Sequence, residues 1–260
     1  FICLSVMVYS FAAPKIRKTT VPHFLIFAVT MKEKIKTIAF DADDTLWENE
    51  LFYREAEKKL CDMLSDYMPA EQVIEELYKT EMQDLEWYGY GIKAFVLSMI
   101  DTAIRISNNT LPAATVQDIM KLGRNMLQKP IELLPRVEET LERLNGCYRL
   151  VVATKGDILD QERKLRKSGL EKYFHHIEIM SDKTLAEYTK LLHHLDCPPD
   201  NFLMIGNSMR SDIMPVLELG AYAAYIPSHV TWAHEQLPYT PENERFLELE
   251  CVSDILEHLL

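Results

Sequence analysis

A short apolar run, Ile35, Ile38, Ala39 and Phe40, stops abruptly at Asp41, with Asp43 and Thr45 following at two-residue intervals. The run is too short for a helix and too continuously apolar for a half-exposed strand, so it reads as a buried strand of a parallel sheet. In open α/β sheets, ligands sit just beyond the carboxyl ends of such strands, which is where Asp41 emerges. Two carboxylates at one strand end repel each other. A divalent cation is the usual reason to keep both ionised, and oxygen-only donors suit Mg²⁺.

The rest of the chain supports a sheet of this kind. From Tyr148 onward, apolar strands alternate with helical periods. Leu150, Val151 and Val152 lead to Thr154, a helix follows from near Asp157 to Ser168, and Gly169 terminates it. A third strand covers Ile177 to Met180. Thr184 and Glu187 form a capping-box pair opening a helix whose face carries Leu185, Tyr188, Leu192 and Leu195. Phe202 to Ile205 is a fourth strand, ending at Gly206-Asn207-Ser208. A helix to Leu219, a strand at Tyr222 to Ile226 and a last strand–helix pair after Phe246 complete the pattern. Such alternation implies a three-layer, Rossmann-like parallel α/β core.

Between the first and second strands the period changes. Leu51, Ala56, Leu60 and Leu64 recur at helical spacing, with Asn49 placed to cap, and further helical stretches carry Val73, Leu77, Phe95, Met99, Ile119 and Leu122. Gly91, Pro112 and Pro130 punctuate them. We therefore expect an all-helical cap over 49–130 inserted into a core of 31–48 and 131–260. Residues 1–30 are read as an extension outside the fold, with Met31 as the natural start. A truncated signal peptide is the alternative there, because Ser10-Phe11-Ala12-Ala13 resembles a cleavage site but no basic region precedes the apolar one.

Composition narrows the partners. The 260 residues carry 28 Lys+Arg against 40 Asp+Glu, a formal net charge of -12, which disfavours nucleic acid and anionic membranes. An anionic substrate then needs a local positive device. The five cysteines are dispersed without a C-x-x-C pair, as in a reducing compartment, so a cytoplasmic protein is expected.

Four strand ends supply chemistry on one edge. Asp41 is the candidate nucleophile and Asp43 the candidate acid and base. Thr154, with the backbone N–H groups of Lys155 and Gly156, is suited to phosphate oxygens, and Lys183 to the charge of a transferring group. Asp212 and Asn207 would complete a Mg²⁺ shell begun by Asp41 and the Asp43 carbonyl. Each residue has a plainer reading. Asp43 or Asp44 caps a helix or a turn, Asp212 caps the helix carrying Pro215, and Thr154 or Lys183 taken singly is a surface hydroxyl or a solvated amine.

Together these residues resemble the phosphatase branch of the haloacid dehalogenase superfamily. The D-x-D-x-T-L motif is met by Asp41, Asp43, Thr45 and Leu46, the second motif by Thr154, the third by Lys183, and the fourth by Gly206 and Asp212 but only partly by Asn207. Asn207 stands where many members carry an aspartate. As a neutral ligand it is weaker than Asp212, or it orients a bound water or Lys183. The resemblance implies Mg²⁺, an aspartyl-phosphate intermediate and a small phosphorylated metabolite as substrate. A sugar phosphomutase and a phosphate-binding protein without turnover are the alternatives. Oligomeric state is open.

Three other features enter as background. Arg163, Lys164, Arg166 and Lys167 read as cations complementing a helix C-terminus. His175/His176 and His193/His194, being adjacent pairs, lack metal-ligand spacing. The aromatics of Trp87-Tyr88-Gly89-Tyr90-Gly91 belong to the cap's core or surface or, alternatively, face the cleft, while Trp47 marks the cap hinge.

Overall fold

The computed structural model describes residues 31–260, so the expected extension over 1–30 lies outside the described residues. Six strands, β1 (Thr37–Phe40), β2 (Arg149–Lys155), β3 (His176–Met180), β4 (Phe202–Gly206), β5 (Tyr222–Tyr225) and β6 (Phe246–Glu248), form one sheet in the order β3-β2-β1-β4-β5-β6. Every pairing is parallel. The side-chain period of two divides each inner strand between two apolar layers. Ile38 and Phe40 face the layer closed by Val137, Leu141, Leu165 and the C-terminal Ile255 and Leu259. Ala39 and Val151 face the opposite layer, closed by Tyr188, Leu191, Leu192 and Val216. The three-layer α/β core is therefore as the alternation implies.

The chain leaves β1 for β2 and β3 on one side, then returns to β4, β5 and β6 on the other. β1 and β4 are thus the strands between which the strand order reverses, the place where open α/β sheets leave a crevice at their carboxyl ends. Register fixes what meets there. Phe40 lies level with Val152 and Ile205, and the Asp41 N–H donates to the Ile205 carbonyl at 2.9 Å.

Four helices, Glu50–Met63, Ala70–Tyr88, Ile92–Ile106 and Ala113–Gln128, occupy the stretch between β1 and β2. They bury an apolar cluster of their own around Leu60, Leu64, Val73, Leu77, Phe95, Met99 and Ile119, apart from both sheet layers. Leu51 is the member of the expected stripe that faces solvent.

Several local details differ from the sequence reading. Asn49 precedes the first helix but makes no side-chain cap. Asp44 caps it instead, its carboxylate accepting the Asn49 and Glu50 N–H groups at 3.0 Å each. Only half of the expected capping box forms: Thr184 accepts from the Glu187 N–H, while the Glu187 carboxylate turns to Lys190. After β4 the helix opens with a wide turn over Met209–Ile213, and Ser208 caps it, not Asp212. Leu185 is exposed, and Leu191 takes its place on the buried face.

Leu60 is fully buried in the helical cluster, so Leu60→Ala is expected to lower the unfolding free energy by about 2–5 kcal/mol, read from urea denaturation.

Candidate functional site

At the carboxyl end of β1, Asp41 is nearly sealed from solvent. Its Oδ1 accepts from the Lys183 ammonium, and its Oδ2 accepts from Thr45 Oγ1 at 3.2 Å. Lys183 reaches in from the loop after β3 and also donates to Asp212 Oδ1 at 2.6 Å. The other Asp212 oxygen accepts the Ser208 N–H at 2.9 Å. One buried cation thus joins the loops following three strands. Gly206 makes the approach possible, since a Cβ there would lie 2.3 Å from Asp212 Oδ2.

Burial pushes the Asp41 carboxyl up to about 7 even with Lys183 beside it, and Asp212 pushes the same way. Burial alone would strip the proton from Lys183, but the Asp212 and Asp41 carboxylates hold it well above its ordinary value. The lysine is held in its charged form, while the Asp41 carboxyl is drawn toward its protonated one. A further cation would favour the ionised carboxylate.

The donor set near Asp41 fits such a cation. The terminal amide atom of Asn207 lies 3.3 Å from Asp41 Oδ2, 3.2 Å from the Asp43 carbonyl oxygen and 3.3 Å from Thr45 Oγ1. With nitrogen turned toward them the amide donates to these oxygens. With oxygen turned toward them, a carboxylate, a carbonyl and an amide oxygen converge at the spacing a hard, oxygen-loving cation bridges. Asn207 thus meets Asp41 and the Asp43 carbonyl directly, whereas both oxygens of Asp212 are already engaged by donors.

Asp43 is held by side chains the sequence reading left in the background. Lys164 Nζ donates to its two oxygens at 2.7 and 2.8 Å, Trp47 Nε1 to Oδ1 at 2.7 Å, and Gln161 Nε2 to Oδ2 at 2.9 Å. The same Gln161 nitrogen lies 3.1 Å from Thr154 Oγ1, so one amide spans the acid and the hydroxyl. Lys164 also donates to Asn49 Oδ1 at 3.2 Å, where the chain enters the first inserted helix. Lys164 is thus not only a helix-end cation. Its signal was available: Gln161, Lys164 and the buried Leu165 share one face of the helix Ile158–Ser168. Trp47 is buried at this junction.

The strand β2 delivers Thr154, buried, and Lys155, whose side chain has a structural task beside its backbone one. Lys155 Nζ pairs with Glu235, donates to Ser211 Oγ at 2.9 Å, and lies 3.9 Å from the centre of the Tyr90 ring. Burial would raise the Glu235 pKa, yet Lys155 together with hydrogen bonds from Ser208 and Ser211 brings it down to about 2. Gly156 adopts φ of 135°, open to glycine and costly for other residues, which turns the backbone after Lys155. No sequence period marks Glu235, which lies in the loop after β5.

Above these residues lies a cavity of about 160 Å³, its floor formed by Asp41, Thr154 and Lys183 and its roof by Tyr53, Glu81 and Ser98 of the inserted helices. Of the aromatics at 87–90, Trp87 and Tyr88 face solvent, whereas Tyr90 lines the cavity and donates to Asp182 Oδ1 at 3.2 Å. The roof is acidic. Arg54 serves both Glu50 and Glu57, at 2.7 and 2.9 Å, and burial raises Glu50 to about 8 and Glu81 to about 7.

Comparison with known proteins places this geometry. Residues 35–220 match the family model described as haloacid dehalogenase-like hydrolase. The solved structure of a haloacid dehalogenase-like family hydrolase from Xanthomonas campestris is 37% identical with a TM-score of 0.76, covering 84% of this chain and 87% of its own. The magnesium-bound hydrolase YfnB of Bacillus subtilis shares the fold at 15% identity and a TM-score of 0.63, covering 87% of this chain and 99% of its own. A curated relative, the glyceraldehyde 3-phosphate phosphatase of Methanothermobacter thermautotrophicus, is 26% identical over 211 residues, 76% of this chain and 88% of that protein.

The Glu235 pKa is depressed, so its contribution to stability is whole above the unfolded carboxyl value and is lost as pH falls toward 2. Glu235→Gln is expected to cost stability at pH 6 and about 2 kcal/mol less at pH 3, the remainder being lost only as pH falls toward 2. Urea unfolding of both proteins at the two pH values measures this.

Proposed function

This chain belongs to the haloacid dehalogenase-like hydrolases, and within that family we propose that it is a Mg²⁺-dependent phosphatase of a small phosphate monoester. The observation that carries the reading is the cavity floor. A buried aspartate, a lysine and a threonine hydroxyl meet where the strand order reverses, which is what transfer of a phosphoryl group to a carboxylate requires. The relative from Methanothermobacter, named for hydrolysis of a three-carbon phosphate ester, points to the same bond and a substrate of similar size.

The Asp41 carboxylate attacks phosphorus, the ester P–O bond breaks, and the departing alcohol takes a proton from Asp43. Water, deprotonated by Asp43, then displaces Asp41 from the aspartyl phosphate and releases inorganic phosphate. Lys183 and the Thr154 hydroxyl hold the charged oxygens throughout, with the Lys155 and Gly156 N–H groups. Asp212 fixes the lysine. Asp41, the Asp43 carbonyl and Asn207 would hold Mg²⁺, which when bound neutralises charge between the nucleophile and the phosphate. The inserted helices act as a cap whose approach excludes water from the floor. Substrate is a soluble metabolite, in keeping with the acidic surface. No helix among the described residues is long and apolar enough to cross a membrane.

Hydrolysis of p-nitrophenyl phosphate is expected to require Mg²⁺ and to disappear in Asp41→Asn. Activity surviving that change would discard the mechanism. Lys164 touches Asp43 and not the phosphate, so it is a positioning residue for the acid. Lys164→Met is expected to lower kcat/KM about 10²-fold on an alkyl phosphate, whose leaving group needs a proton. On an aryl ester that leaves unaided the loss is smaller, and Lys164→Arg restores part of the difference. Equal losses on both esters would mean that Lys164 serves folding alone.

A further inference from the structure

We propose that His176, Glu178 and His194 form a second metal site, for a zinc-type cation, on the outer edge of the sheet. The adjacent histidine pairs carry no ligand spacing within themselves, but the fold brings one member of each together. His176 and Glu178 sit two residues apart on β3, so their side chains leave the same face of this edge strand. His194 is the last residue of the helix Leu185–His194, which runs back along β3.

One ligand atom from each residue lies within 4.8 Å of the other two. His176 Nε2 is 2.7 Å from Glu178 Oε2, and His194 Nδ1 is 3.8 Å from the same oxygen. The two imidazoles stand edge to face with centroids 4.9 Å apart. A tetrahedral zinc ion with bonds of about 2.0–2.1 Å wants ligand atoms about 3.3 Å apart. Reaching that spacing takes opening the His176–Glu178 contact and closing the His194–Glu178 contact by roughly half an ångström each, and drawing the two imidazole nitrogens, now within 4.8 Å, together to match. These are movements within the freedom of half-exposed side chains.

The donors decide the class of ion. Two imidazole nitrogens and a carboxylate suit Zn²⁺, Ni²⁺ or Cu²⁺, whereas Mg²⁺ prefers oxygens throughout. Three protein ligands leave a fourth position to water. Among the described residues, both ion pairs of Glu178 are with these two rings. None of the three residues lines the phosphate cavity, so the site is independent of the catalytic reading. A cation here would tie β3 to the far end of the following helix, and these two elements flank the loop that carries Lys183.

The test is titration of the full chain with Co²⁺ in excess Mg²⁺, which keeps the oxygen-lined site occupied. Visible absorption reports coordination, Zn²⁺ back-titration reports displacement, and thermal unfolding is followed with and without Zn²⁺. We expect one equivalent of Co²⁺ with the strong bands of four-coordination, displaced by one Zn²⁺, and a rise in Tm on adding Zn²⁺. His194→Ala is fold-safe, since that side chain is 67% exposed, and should weaken binding about tenfold or more and abolish the Tm rise. His176→Ala should do the same. Bands and Tm rise that persist in His194→Ala would place the cation elsewhere, and absence of stoichiometric binding by the unaltered chain would overturn the site outright. Loss of phosphatase activity in Asp41→Asn leaves these readouts unchanged, so the two readings fail separately.

Discussion

The buried ammonium of Lys183 between the carboxylates of Asp41 and Asp212 is the interaction on which the site depends. Removing a charge from water costs several kcal/mol, and only close, well-aligned partners offset it. Here three charged groups from the ends of β1, β3 and β4 satisfy one another, with the Ser208 N–H and the Thr45 hydroxyl completing the set. The arrangement carries a net negative charge, and burial answers it by raising the Asp41 pKa to about 7. Asp41 is therefore a buried acid that further positive charge beside it would favour in its ionised form, with the lysine already on one side.

That constraint reaches outward through hydrogen-bonded chains. Asp43 is fixed by Lys164, Trp47 and Gln161. Gln161 leads to Thr154, and Lys164 leads to Asn49 at the first inserted helix. On the other flank, Lys155, Glu235, Ser208 and Ser211 form a second charged network that braces the loop beginning with Asn207. Because Ser208 belongs to this network and its N–H also holds Asp212, this flank is tied to the buried Lys183. The cavity roof, by contrast, carries acids that share a single arginine, so it differs electrostatically from the floor built around Lys183.

Much of this was legible in the sequence because it follows from short periods. Short continuous apolar runs marked the strands, Gly169 and Pro112 marked helix ends, and a polar residue closing an apolar run pointed to Asp41 and Thr154. What escaped was decided by contacts between distant segments. Lys164 looked like one of four cations in a helix end, until the tertiary fold put Asp43 within its reach. Asp44 displaced Asn49 as a cap because the loop between them curls back on itself. Glu187 turned to Lys190 rather than closing its capping box, and Asp212 spent both oxygens on Lys183 and Ser208 rather than standing free for a metal.

The amino-acid order alone determined the layered parallel sheet, the helical insertion and the family of chemistry, since local propensity and spacing are properties of neighbours along the chain. Which acid is pinned by which cation, which histidines face each other, and what lines the roof were decided only when segments far apart in the chain were brought within hydrogen-bond distance, as Thr45 and Asn207 are, 162 positions apart. Electrostatic partnership falls off over a few ångströms, and no sequence spacing encodes a separation that the packing of the core alone sets.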